Sequence, residues 1–189
     1  MNPRCILVAT MSWAGVVACA SAIGASAFSL TSPDFKAGER LPEKFILNFA
    51  GCSGGNSSPA LEWHGTPPGT KSFAITLFDP DEHGTPSGWW HWVVFDLPAT
   101  TARLGAGAGS GSSSLVPPGS QQGRTDLGTK AYHGPCPSPG NSPHHYVFTI
   151  YALKVAKLPV PSHASGAMVT LTAHDYTLAE ATLVAVYGR

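Results

Sequence analysis

Three stretches of this chain settle most of what it can fold into. Lys71-Ser-Phe-Ala-Ile-Thr-Leu-Phe78 alternates polar and apolar residues and stops at Asp79-Pro80. Trp90-His-Trp-Val-Val-Phe-Asp-Leu97 is β-branched and aromatic and stops at Pro98, and Tyr146-Val-Phe-Thr-Ile-Tyr-Ala-Leu153 alternates again. Alternation puts successive side chains on opposite faces of a strand, and proline ends a ladder because it has no N–H to give. Residues 45–49 and 182–187 read as further strands, with 28–30 available to a sheet edge. Helix is invited only near 166–173 and around 176–181, both short. With 21 Gly and 17 Pro in 189 residues to make turns, the pattern predicts a mainly β sandwich with one or two short helices.

The amino terminus reads separately. Arg4 is followed by no charged residue until Asp34, and the apolar run beginning at Ile6 is followed by Ala25-Ser26-Ala27. A basic start, an apolar core and a small-x-small site are the marks of a cleavable signal peptide. Residues 1–27 are therefore expected to be a leader and 28–189 one domain, exported to the periplasm or secreted. Two alternatives stand beside this: a membrane anchor, for which the run is short and diluted by Ala, Gly and Ser, and lipidation at Cys19, because Val16-Val17-Ala18-Cys19 resembles a lipoprotein signal. Cleavage after Ala27 leaves Cys52 and Cys136, an even pair in an oxidising compartment, open to a disulfide or to two buried thiols.

Between 100 and 134 lies a Gly/Ser/Pro-rich stretch. Its first half, including Gly105-Ala-Gly-Ala-Gly-Ser-Gly-Ser-Ser-Ser114, reads as a flexible loop, and Gln121-Gln-Gly-Arg-Thr-Asp-Leu-Gly128 reads as an ordered surface loop. Polar residues gather at strand ends and turns. Asp79-Pro80-Asp81 closes one strand. Gly88-Trp89-Trp90-His91-Trp92 opens another, where alternation sets Trp90 and Trp92 together in the core and His91 on the other face. Tyr132-His133-Gly134-Pro135-Cys136-Pro137 precedes His144-His145-Tyr146, in which His144 and Tyr146 share a face. Loops held at the end of rigid strands are how a sandwich builds a pocket. Imidazoles, a Tyr hydroxyl and free amides beside Gly134 suit an anion, with Asp79 orienting His91 and favouring its charged form.

Composition and motifs exclude other chemistry. Eleven Lys+Arg balance eleven Asp+Glu and only 12% of residues are charged, which argues against nucleic acid as a partner. No Gly-x-Ser-x-Gly elbow serves a hydrolase triad. The histidines lack metal-ligand spacing, so neither a metal nor another cofactor is expected. Export argues against Cys136 as a thiolate nucleophile. The reading is a binding protein, not an enzyme, with a metal-dependent hydrolase as a remote alternative.

In order along the chain, Asp79-Pro80-Asp81, Gly88-Trp-Trp-His91-Trp92-Val-Val, Tyr132-x-Gly134-Pro-Cys-Pro137 and His144-x-Tyr146-x-Phe-x-x-Tyr151-Ala-Leu153 resemble the motifs of the phosphatidylethanolamine-binding protein family, in its bacterial Raf-kinase-inhibitor-like branch. Cys52-Ser-Gly-Gly-Asn56-x-Ser-Pro-Ala60-Leu-x-Trp63 and Gly123-Arg-Thr-Asp126-x-Gly128 add to the resemblance. It implies a sandwich of two antiparallel sheets and a pocket for a small phosphate-like anion or phospholipid headgroup. Carried over by motif, the lining would be Asp79, Asp81, Trp90, His91, Gly134, Pro135, His144 and Tyr146. Eukaryotic relatives regulate enzymes by binding, so a protein partner contacted through the 100–134 stretch is the alternative function. Three positions depart from the pattern: Glu82-His83 stands where Ala-Pro is usual, His145 replaces an Arg between the pocket His and Tyr, and Asp96 replaces Asn. An Arg-carboxylate bridge at 145 would here become weaker and pH-dependent.

Overall fold

A computed structural model describes residues 26–189, apart from 83, 85, 86 and 112–114. The expected leader and Cys19 therefore lie almost wholly outside the described residues. Among these residues eight strands and one α-helix follow in the order β1 (Ser29–Thr31), β2 (Leu61–His64), β3 (Ser72–Asp79), β4 (Trp89–Pro98), β5 (Arg103–Leu104), β6 (Gln121–Gln122), β7 (His144–Leu153), α1 (Gly166–Tyr176) and β8 (Thr177–Tyr187). They form a three-stranded sheet ordered β1-β2-β5 and a five-stranded sheet ordered β6-β4-β3-β7-β8, antiparallel throughout. The fold is thus mainly β, two antiparallel sheets with a single α-helix. Among the described residues no helix is long and apolar enough to cross a membrane.

Alternation distributes the central strands between two cores. Phe73, Ile75 and Leu77 of β3 and Tyr146, Phe148, Ile150 and Ala152 of β7 face the three-stranded sheet, where they meet Trp63, Leu61 and Leu30. Ala74, Tyr151 and Leu153 face the opposite way, against Val169 and Ala173 of α1. The helix starts at Ser165, whose hydroxyl accepts from the Met168 amide at 3.3 Å. Gly166 lets it sit directly on Trp90, since any Cβ there would overlap the indole.

Three expectations need correction. Residues 45–49 are not a strand: Glu43–Phe45 is a turn of 3-10 helix and the chain then runs irregularly. Phe45, Ile46 and Leu47 are buried consecutively, so their apolarity reflects core position rather than a two-sided ladder. Their backbone is satisfied by loops, with Leu47 N donating to Pro135 O at 3.1 Å and Asn56 N to Ile46 O at 2.8 Å. Nor do residues 176–181 form a second helix. The chain leaves α1 at Thr177 and pairs at once with β7, from Thr177 opposite Leu153 to Tyr187 opposite His144, so tertiary pairing overrides the helix preference of Leu, Ala and Glu.

The third correction concerns the glycine-rich stretch, which is not a free loop along its length. Ala108 is fully buried, and Gly109 lies against Tyr132 and Trp92 with its amide donating to Ser58 Oγ at 2.8 Å. Small residues are used there because nothing larger fits. The Gln121-to-Gly128 portion is ordered as expected: β6 pairs with β4, and Asp126 brackets Trp90 by accepting from its amide at 2.8 Å and donating to its carbonyl at 3.1 Å.

Candidate functional site

Antiparallel pairing on both sides of β3 creates the site. Where β3 ends at Asp79, β4 and β7 begin, so Asp79, His91 and His144 arrive at one end of the sheet from three separate parts of the chain. Period-two spacing from Leu77 and from Tyr146 turns Asp79 and His144 toward the inter-sheet core. Both are 1% exposed, and His144 Nδ1 hydrogen-bonds Asp79 Oδ2 at 2.8 Å while Asp79 Oδ1 accepts from the Asp81 amide at 2.8 Å. Burial raises the Asp79 pKa above its ordinary value, against the lowering effect of those two hydrogen bonds. Burial and the neighbouring Asp79 carboxylate hold the Tyr146 hydroxyl neutral.

His91 reaches the site because β4 is bulged. Leu77 pairs with Trp92 and Phe78 with Trp90, leaving His91 as the extra residue between them. The bulge breaks the expected alternation. Trp92 stays in the inter-sheet core and His91 packs edge-on against Tyr146 at 5.4 Å, whereas Trp90 turns to the helix side against Phe78 and Gly166. Trp90 is accordingly not a lining residue, and its neighbour Trp89 takes that place.

Asp79 does not orient His91 in the way expected. His91 Nδ1 bonds the carbonyl of His133 at 2.8 Å, and Nε2 stands 4.0 Å from Asp79 Oδ2. As Nδ1–H donates to that carbonyl, Nε2 carries the lone pair. Burial lowers the His91 pKa to about 4, so the imidazole is neutral near pH 7 rather than charged.

The 132–137 segment closes the site. Gly134 is required by packing, because a Cβ would overlap the carbonyl of Phe45 and the backbone of Leu47. Its amide donates to Asn56 Oδ1 at 2.9 Å and so is not a free anion donor. Pro135 is buried behind the lining and accepts from Leu47 N. Cys136 is disulfide-bonded to Cys52, 84 residues away, tying this segment to the 46–52 loop. His133 contributes its ring to the lining and pairs with Thr129 through Nε2.

A cavity of about 260 Å³ results, lined by Leu47, Phe49, Ala50, Asp79, Glu82, Trp89, His91, Leu127, His133, Gly134, Cys136, Pro137 and Tyr146. Asp79, His91, Gly134 and Tyr146 are thus brought together around one cavity. His144 sits behind Asp79, while Asp81 lies outside the lining on the rim, where it accepts from the His145 amide at 2.8 Å and ring at 2.7 Å. Burial would raise the Asp81 pKa, but those two hydrogen bonds hold it below its ordinary value. Glu82, His133, Trp89, Phe49 and Leu127 were missed. Adjacency to Asp81, Gly134 and Trp90 was the signal for the first three, whereas Phe49 and Leu127 come from loops that no local pattern marks. The buried part of the lining is polar, at Asp79, His91 and Tyr146, and the rim is apolar, with Phe49 60% and Leu127 39% exposed.

Comparison with known proteins agrees with this architecture. A family model described as phosphatidylethanolamine-binding protein matches residues 31–188. The YbcL protein of Escherichia coli strain K12 is 46% identical over 163 residues, covering 86% of this chain and 88% of its own length. A Mycobacterium tuberculosis protein named as a lipoprotein, LppC, is 31% identical over 163 residues, covering 86% of this chain and 73% of its own. The crystal structure of E. coli YbcL, described as a new member of the mammalian PEBP family, matches with a TM-score of 0.83 at 45% identity, covering 86% of this chain and 98% of that one. The chain therefore belongs to the phosphatidylethanolamine-binding protein family.

Proposed function

We propose that this protein is an exported, non-enzymatic binding protein whose pocket takes a small phosphate-like anion or a phospholipid headgroup. The observation that carries the reading is the division of the cavity into a buried polar end at Asp79, His91 and Tyr146 and an exposed apolar rim at Phe49 and Leu127. A ligand that is polar at one end and attached to apolar substance at the other matches that division. Family membership supports a binding role, and the cavity volume suits a headgroup rather than a whole lipid. Export is supported by the leader-like residues 1–27, by the Cys52–Cys136 disulfide and by a relative named as a lipoprotein.

Partner contact through the glycine-rich stretch has less support, because Ala108 and Gly109 pack into the core rather than forming a free surface. Titration calorimetry with inorganic phosphate and with phosphoethanolamine tests the pocket. Saturable heat that weakens in His91→Ala is expected, and no heat with the folded wild type at millimolar ligand overturns the reading.

A further inference from the structure

An anion pocket ordinarily offers positive charge, yet this cavity holds Asp79 and Glu82 and, among the described residues, no Lys or Arg in its lining. Ligand atoms of Asp79, Glu82 and His144 lie within 4.8 Å of one another, drawn from the end of β3, the turn after it and the start of β7. A second observation points to the same place. The His91 side chain is nine-tenths buried, its Nδ1 is fixed on the His133 carbonyl, and its Nε2 faces Asp79 Oδ2 at 4.0 Å with no hydrogen bond among the described residues. An imidazole whose far nitrogen is anchored on a backbone carbonyl while its near nitrogen turns a lone pair toward a carboxylate is the outer-shell arrangement of a metal ligand.

We propose that Asp79, Glu82 and His144, with His91 as a further donor, form a site for a divalent transition-metal ion of the zinc or manganese class. Mixed imidazole and carboxylate donors favour such an ion over magnesium or calcium, which prefer oxygen alone. The ion takes the place of the proton between His144 Nδ1 and Asp79 Oδ2, which are 2.8 Å apart, and that proton moves to Nε2, so that a neutral imidazole and an ionised carboxylate are the ligands. Asp79 and His144 are fixed by burial, and Glu82 on the turn is the adjustable member. Bound there, the ion adds positive charge to the acid-lined end of the cavity and strengthens its hold on an anion. The metal site stands on its own geometry, whereas this role in anion recognition rests on the function proposed above. The distance along the chain from Asp79 and Glu82 to His144 hid the site from the sequence.

Untagged, chelator-stripped protein is titrated with Zn²⁺ by calorimetry and with Co²⁺ by visible absorption. One equivalent per chain is expected, with a Co²⁺ ligand-field band, and with affinity lowered at least about tenfold in Glu82→Gln and in His91→Gln. Both variants keep the Asp79–His144 pair, and their folding is checked by circular dichroism. Absence of saturable binding in the millimolar range, or binding that both folded variants leave unchanged, overturns the site by placing the ion on exposed histidines. Inorganic phosphate is then titrated with and without Zn²⁺. Tighter binding with the ion supports its role. Equal binding in both refutes that role and leaves the anion pocket standing, and no binding in either refutes the pocket while the Zn²⁺ titration still judges the metal site.

Discussion

His144 Nδ1 and Asp79 Oδ2 meet at 2.8 Å with both residues 1% exposed, and His91 Nε2 approaches the same oxygen to 4.0 Å. One carboxylate thus holds one imidazole directly and faces a second, which the His133 carbonyl holds, the two entering from different strands. Asp79→Ala leaves a buried imidazole nitrogen without its acceptor and is expected to destabilise the protein by about 2 kcal/mol. Asp79→Asn, which keeps an acceptor oxygen, is expected to lose less. Urea unfolding at pH 7 measures both.

Asp79 and His91 carry opposite pH signatures. The folded-state pKa of His91 is depressed from 6.5 to about 4, so the unfolded chain binds more protons between those values. Its contribution is complete above pH 6.5 and is lost as pH falls toward 4, by about 3 kcal/mol in all. The folded-state pKa of Asp79 is raised, so the folded chain binds the extra proton, and stability falls as pH rises from 3.8 through that higher value. Unfolding curves across this range should show the difference between wild type and His91→Gln growing with pH, and that between wild type and Asp79→Asn shrinking. Slopes of the same sign would refute the assignment.

Gly134 and Gly140 separate packing from backbone freedom. A methyl group at 134 overlaps the backbone of Phe45 and Leu47, whereas at 140 it meets nothing within 4 Å and only the positive φ of 83° opposes it. Gly134→Ala is expected to lose about 3 kcal/mol and Gly140→Ala about 1 kcal/mol in chemical denaturation. Similar losses would mean that the 132–137 segment is less tightly seated than the structure shows.

The Cys52–Cys136 bridge spans 84 residues and joins two loops that both line the cavity. Loop-closure entropy sets its contribution at about 4 kcal/mol. The Cys52→Ala/Cys136→Ala double variant should unfold at lower urea concentration by that amount, and reductant should destabilise wild type but not the variant.

His145 stands where Arg is common in the resembling family, and its bridge to Asp81 at 2.7 Å is half-exposed. His145→Arg is expected to change stability by less than about 1 kcal/mol, because solvent screens the pair. Thermal unfolding at pH 6 and pH 8 checks this, and a larger gain would show the rim to be more rigid than its exposure suggests.

Particular residues show how far local pattern reaches. Alternation in 71–78 and 146–153 identified β3 and β7, because each is a regular ladder whose successive side chains enter two different clusters. The same rule failed at Trp90-His91-Trp92, where one unpaired residue moves His91 into the pocket and Trp90 out of it. Nothing within that tripeptide marks a bulge, which depends on what Phe78 and Leu77 present from the neighbouring strand. Residues 45–47 and 108–109 misled for a related reason, since an apolar or glycine-rich run says that a segment is buried or unhindered without saying against what.

By itself the sequence determined a β sandwich and the strand-end positions of Asp79, His144 and Tyr146. Those follow from short-range periodicity and composition, which are properties of the chain alone. Tertiary structure decided that the His133 carbonyl holds His91, that Asn56 occupies the Gly134 amide, and that Asp79, Glu82 and His144 converge. Each depends on hydrogen bonds and burial between segments far apart in sequence. Burial also sets whether His91 is charged, a property its local sequence does not carry.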